Sequence, residues 1–309
     1  VNSVARHQVL VPEVRWRNLG HVYVFGNGKG GVGKTTSSCH FGAFAAMVGA
    51  PTLLIDLNGQ GNVATLLGFS GTEQDDGGRN LFSAVTMGAP LTPVKGVRKN
   101  LDVVPGGPFV RKINPVMTAE MATPDGAKRA LLALADAVQK ISSQYQVIVI
   151  DTPPENAQLL RLALCTARFV VIPMLTNMLS RTGLFEIAGD IRDMRDLNPY
   201  LTLLAVFIYG SDSRSELIRK EFREEVVEDL GSNSDALLEQ YIRHSEAVAK
   251  QMPKFGLLAH ELEDAMPGNR KRISKTTMPV AEDFDKLCRA IFERATNQQA
   301  KMTSEGVWP

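Results

Sequence analysis

The stretch from Gly26 to Ser38, GNGKGGVGKTTSS, carries five glycines and two lysines. Within it, Gly28, Lys29, Gly30, Gly31, Val32, Gly33, Lys34 and Thr35 satisfy the spacing G-x-x-x-x-G-K-[ST]. Glycines let successive backbone N–H groups turn inward round phosphate oxygens without side-chain obstruction. A helix opening at Lys34 adds the partial positive charge of its N-terminus to the same anion. Lys34 then reaches the β and γ phosphates, Thr35 offers a hydroxyl to Mg²⁺, and Thr36 closes the cradle. The chemistry expected of Gly28 to Thr36 is therefore capture of a nucleoside triphosphate. The plainer alternative, a glycine-rich turn with a surface lysine, does not account for four fixed positions met in a strand-to-helix context.

That context has to be supplied by a sheet. Short apolar runs alternate with helical patterns: HVYVFG before the glycine loop, then TLLID, LDVVP, QVIVID, RFVVIP and TLLAVFI. Continuous apolar strands separated by helices predict a mostly parallel sheet buried on both faces, a doubly wound α/β fold of the P-loop NTPase type. Leu131, Leu134, Ala135 and Val138 recur at helical spacing and predict one buried stripe. The expected organisation is an N-terminal extension at 1–20, one ATPase domain at 21–295 and a polar tail at 296–309. SGTEQDDGGRN and GSNSD read as loops between elements.

Bulk properties exclude several classes. Lysine and arginine total 34 against 33 acids, so the whole-molecule field argues for neither nucleic acid nor membrane, and any basic surface is local. Cys39, Cys165 and Cys288 lie far apart without a C-x-x-C pair, which suggests no disulfide framework and a reducing cytoplasm. The five histidines show no metal-ligand spacing. VIVI and FVVIPML are far shorter than a bilayer span of about 20 residues, and the first residues do not read as a secretory signal.

With KGGVGKTT, PTLLIDLNGQGNVATLLG, NLDVVPGG, YQVIVIDTPPENAQLLRLAL, SDSRSELIRKEFREEV and MPKFG in this order, residues 21 to 295 resemble the deviant Walker A ATPases of the ParA/MinD group, in the partitioning ParA branch. The resemblance implies ATP and ADP as ligands, with Mg²⁺ held near Thr35, Asp56 and Asp151. Asp151 ends an apolar strand, where without a cation a carboxylate serves more often as a helix cap. By resemblance Lys29 acts in trans, reaching the phosphates of a second subunit in an ATP-dependent homodimer. The family's further properties are non-specific binding of double-stranded DNA, a ParB-like or cargo-binding partner, and a cytoplasmic, nucleoid-associated location.

The motif D-x-D-P-Q of the family reads Asp56-Leu57-Asn58-Gly59-Gln60 here. An amide orients water but accepts no proton at neutral pH. Phosphoryl transfer depends mostly on positioning, so slow hydrolysis is expected, with an ATP-binding switch of little turnover as the alternative. Candidate DNA contacts are Arg214, Arg219 and Arg223, diluted by neighbouring acids, and Arg270, Lys271 and Arg272 in NRKRISK. Aromatics are only 6% of the chain and do not interleave with basic residues, which disfavours base stacking. A MinD-like membrane role needs a basic amphipathic C-terminal helix. The stripe Val280, Phe284, Leu287, Cys288, Ile291 and Phe292 reads instead as core, so no membrane partner is expected. Cluster-carrying relatives need cysteines at the dimer axis, and Cys165 reads as a small core residue. Nothing specifies the acceptor pocket of a kinase or synthetase.

Overall fold

The computed structural model describes residues 11–212, 215–264 and 273–307. Its strands are β1 (Val22–Phe25), β2 (Thr52–Asp56), β3 (Val94–Arg98), β4 (Leu101–Val104), β5 (Val147–Asp151), β6 (Phe169–Met174), β7 (Thr202–Ser211) and β8 (Leu237–Arg243). The helices are α1 (Lys34–Met47), α2 (Asn62–Leu66), α3 (Arg79–Met87), α4 (Ile113–Glu120), α5 (Pro124–Gln139) and α6 (Ala157–Leu164). They continue with α7 (Met178–Met194), α8 (Glu216–Leu230), α9 (Glu246–Phe255), α10 (Ala259–Asp264) and α11 (Thr277–Ser304).

The strands form one sheet in the order β3-β4-β2-β5-β1-β6-β7-β8. Only the β3–β4 pair is antiparallel. Side chains alternate across the sheet, and both faces are apolar. Val22 and Val24 of β1, with Ile148 and Ile150 of β5, face the layer containing α3 to α7. Tyr23 and Phe25, with Val147 and Val149, face α1, α2 and α9 to α11. This two-sided burial is why β1, β2, β5, β6 and β7 read as largely apolar runs. The α5 stripe Leu131, Leu134, Ala135 and Val138 is buried as its spacing predicts, and so are Cys165 and, on α11, Val280, Phe284, Leu287, Cys288 and Ile291, while Phe292 is partly buried and stacks on Phe41 at 4.5 Å.

The expected boundary at 295 falls inside helix α11. Helix α11 runs unbroken to Ser304, because Ala295 and Met302 extend its buried stripe, and Gln299 Nε2 donates to Gly20 O at 3.0 Å. Of the N-terminal extension, Trp16–Leu19 forms one 3₁₀ turn. Arg15 N–H donates to Gln139 Oε1 on α5 at 2.8 Å. Trp16 faces Tyr200, just before β7. This segment therefore lies at the end of the sheet opposite the glycine loop. Among the described residues no helix is long and apolar enough to cross a membrane.

Helix α1 is pinned to its neighbours by His40. Its Nδ1–H donates to Thr36 O at 2.7 Å, its Nε2 accepts the Ala259 N–H at 3.1 Å, and its ring stacks on Phe284 at 3.7 Å. Burial, with His260 beside it, lowers its pKa to about 3. The folded value lies below the unfolded one of about 6.5, so this stability is complete above pH 6.5 and is lost as pH falls towards 3. At pH 5 the loss from this group is about 2 kcal/mol. Urea unfolding of the natural protein and of His40→Gln at pH 7 and 5 should show that difference in their pH dependence; parallel curves would refute it.

Candidate nucleotide site

The glycine loop leaves β1 at the centre of the sheet and enters α1. The turn is completed by Gly33, whose φ of +86° favours glycine, and the ring of Tyr209 from the end of β7 lies flush where a Cβ would project. Upstream, Asn27 is fully buried and anchors the loop. Its Nδ2 donates to Pro173 O at 2.8 Å, and its Oδ1 accepts the Lys29 N–H at 2.9 Å. Gly30 to Thr36 line a depression of about 260 Å³, together with Asn58, Asn62, Thr152, Pro154 and Tyr209.

Lys34 is buried, with Nζ donating to Lys29 O at 2.6 Å. Burial lowers its pKa to about 8, only partly offset by Asp151. A phosphate in the cradle would favour the charged form.

Strands β2 and β5 bring Asp56 and Asp151 into register as neighbours, both fully buried. Burial raises both carboxyls, and the charge of Asp151 adds to the difficulty of ionising Asp56. Thr35 Oγ1 donates to Asp151 Oδ2 at 2.7 Å, while Asp151 Oδ1 has no hydrogen-bond partner. Asp56 accepts the Asn58 N–H at 2.8 Å and the Val63 N–H at 3.3 Å. Of the two acids, Asp151 is therefore the one that meets Thr35. The cap of the helix after Pro153-Pro154 is Asn156, which accepts the Leu159 N–H, so Asp151 is not spent on capping.

The profile of the family described as an AAA domain matches residues 20–203. The chromosome partitioning protein ParA of Caulobacter vibrioides is 30% identical over 293 residues, covering 91% of this chain and 97% of its own length. The chain belongs to the ParA family of P-loop ATPases. The fold is shared with Cyanothece McdA in a complex with ATP, at a TM-score of 0.67 and 16% identity over 87% of this chain and 95% of that one. It is shared also with cobyrinic acid a,c-diamide synthase of Mycobacterium smegmatis bound to ADP and magnesium, at 0.60 and 23% over 82% and 98%.

The residues fit the divalent cation of a ParA-family ATPase. An orphaned buried carboxylate oxygen, a second buried acid and a threonine hydroxyl form a hard-oxygen set. Among the described residues no three His, Cys, Asp or Glu side chains converge as a metal cage. Mg²⁺ is commonly held by one or two carboxylates plus substrate phosphates, without such a cage.

Asn58 lies in the ParA-family second motif and is only 6% exposed. Its Oδ1 accepts the Gln60 N–H at 3.0 Å, which assigns the amide and leaves the NH₂ for the depression.

Lys29 does not line the depression beside Lys34. It lines a neighbouring one of about 440 Å³ with Glu155, Arg161, Glu186 and Asp190, and its Nζ lies 3.9 Å from Glu186 Oε1 on α7. A Cβ on Gly183 would lie 2.9 Å from Asn27 Oδ1 and 3.2 Å from Lys29 Cγ, so a glycine there lets α7 approach the loop.

Of the expected DNA contacts, Arg214, Arg270, Lys271 and Arg272 lie outside the described residues. Arg219 and Arg223 do come together, on α8 facing β8. Arg219 sits over the Tyr241 ring at 4.2 Å and donates to Asp212 O, while Arg223 donates to Leu238 O. With Lys220 they line an open groove of about 510 Å³ that also holds Glu216, Glu224 and Glu239. Its charge is mixed.

Tyr209, Asn27 and Glu186 are not among the residues expected from sequence. Asn27, inside GNGK, is the one that local pattern could have flagged. Tyr209 and Glu186 reach the loop only through the order of the strands.

Proposed function

We propose that the protein is a slow, Mg²⁺-dependent ATPase switch. ATP joins two copies into a dimer that holds double-stranded DNA through its backbone, and hydrolysis resets it to segregate DNA or position cargo. The observation that carries the reading is the arrangement of Lys34, Thr35 and the paired acids around a glycine cradle, with an amide donor from Asn58 at its mouth. Thr35 and Asp151 would hold the cation, with Asp56 behind them, and the cation would neutralise phosphate charge. Lys34 leaves Lys29 O for the phosphates, backbone N–H groups of the loop fix their oxygens, and Pro154 and Tyr209 wall the cavity. Asn58 orients water without removing its proton. A ParB-like or cargo-binding partner would stimulate turnover, and the working location is the cytoplasm, on the nucleoid. Because the Asn58 Oδ1 is already engaged, a second reading is a switch that binds ATP with little hydrolysis of its own.

The test is size and DNA binding measured together without nucleotide, with ADP, with ATP and with a nonhydrolysable analogue. Dimers and salt-dependent DNA binding are expected only with ATP and the analogue. Neutralising Arg270, Lys271 and Arg272 should weaken binding on all sequences alike and flatten its salt dependence. Equal behaviour in all four nucleotide conditions would overturn the reading.

A further inference from the structure

We infer that Arg111 is a positioning residue that holds the Asn58-to-Gly61 turn in its working shape. Arg111 lies in the short Val110–Lys112 turn that follows β4. Its Nε donates to Gly59 O at 3.0 Å. A Cβ on Gly59 would lie 2.5 Å from Arg111 Cγ and 3.0 Å from its Nε, so the arginine stem fills the space that a side chain at 59 would take.

The same loop grips the turn a second time. Gly107 N–H donates to Asn58 O at 2.9 Å, and Gly106 packs so closely that a Cβ would lie 2.5 Å from both Asn58 O and Asp56 Cγ. Inside the turn, Asn58 O accepts the Gly61 N–H at 3.1 Å and Asn58 Oδ1 accepts the Gln60 N–H at 3.0 Å. Arg111 is the one side chain among the described residues with a hydrogen bond to Gly59 O.

The physical need is clear from the composition. The turn holds Gly59 and Gly61, and glycine has more backbone freedom to lose than any other residue. Left alone, the segment would spend time in shapes that aim the Asn58 amide elsewhere. A guanidinium N–H on a carbonyl, with the arginine stem packed over the glycine, removes those shapes. The inference rests on the proposed reading for its kinetic consequence, since it is Asn58 that faces the attacking water there, but the ordering of the turn does not depend on nucleotide.

The experiment uses the full chain with Arg111→Ala, Arg111→Lys, Gly59→Ala and the Gly59→Ala/Arg111→Ala pair. Gly59 has no left-handed φ, so alanine fits its backbone and only Arg111 must move. Amide hydrogen exchange at Gln60 and Gly61, without nucleotide, should quicken about fivefold in Arg111→Ala, the scale of one hydrogen bond. Single-turnover ATP hydrolysis should slow about fivefold, with ATP Kd within about twofold because the phosphate cradle sits on a different loop. Gly59→Ala should match it, the double variant should be no worse than either alone, and Arg111→Lys should recover most of the loss. Unchanged exchange at Gln60 and Gly61, additive variants, or a rate and Kd that fall together would overturn the inference. A natural protein that neither binds nor hydrolyses ATP would sink the functional reading instead, and exchange would still decide the role of Arg111.

Discussion

Asn58→Asp is expected to raise the single-turnover rate of ATP hydrolysis about 10²-fold, the low end of what general-base assistance contributes. The gain stays at that low end because positioning and electrostatics carry most of phosphoryl transfer. Asn58 is buried at the mouth of the cradle, its Oδ1 engaged by Gln60 N–H and its NH₂ left for the cavity. An aspartate in the same turn keeps Gln60 on one oxygen and turns the other, an acceptor, towards the attacking water. The substitution also places a third carboxylate near Asp56 and Asp151, whose ionisation burial already opposes. The ligand-free variant should therefore be less stable than the natural protein, with the difference shrinking when Mg²⁺ and nucleotide are added. Rapid-quench kinetics with limiting ATP measures the rate. A natural rate that is already fast, and unmoved by the substitution, would take Asn58 out of the chemistry.

The parts of the molecule legible in its sequence are those made by local rules. The glycine cradle is a backbone device of consecutive residues, Gly28 to Thr36, and its spacing alone specifies it. Strands β1, β2, β5, β6 and β7 are covered on both faces, so their apolar runs stand out. β3 and β8 do not share that property. They are the edges of the sheet, VKGVR and LLEQYIR, with many of their side chains in or near solvent. Nothing in either segment says strand until its pairing partner is known. The same holds in the site. Asp56 and Asp151 are far apart in the chain and become neighbours because β2 lies beside β5, while Tyr209 reaches Gly33 from the far side of β6. Arg111 is invisible for a related reason: its value lies in the empty side of Gly59, and an absent Cβ leaves no pattern. Residues 296–304 are polar in pattern, yet α11 continues through them, held by Met302, about two turns after Ala295, and by the Gln299 bond to Gly20 O.

Lys29→Ala is expected to weaken ATP-dependent dimerisation by about 10²-fold or more, the cost of removing one partner of a buried charge pair across an interface. The backbone of residue 29 is fixed through its N–H, which donates to Asn27 Oδ1 at 2.9 Å, a bond that stays when Lys34 turns from Lys29 O to the phosphates. With the loop held so, the side chain leaves along Gly183 towards Glu186 and away from the cradle that Lys34 serves. In the proposed dimer, the phosphates that this ammonium meets would be those of the second copy. The contact with Glu186, 3.9 Å long and partly exposed, is of a kind worth about 0–1 kcal/mol and does not compete with a phosphate. The variant should accordingly keep its ATP affinity as a monomer within about threefold, since Lys34 and the loop N–H groups remain, whereas Lys34→Ala should lose ATP itself. Sedimentation velocity with a nonhydrolysable analogue, alongside nucleotide titration, separates the two losses. A Lys29→Ala protein that dimerises as the natural one does would mean that the subunits, if they pair, are joined by something other than this amine.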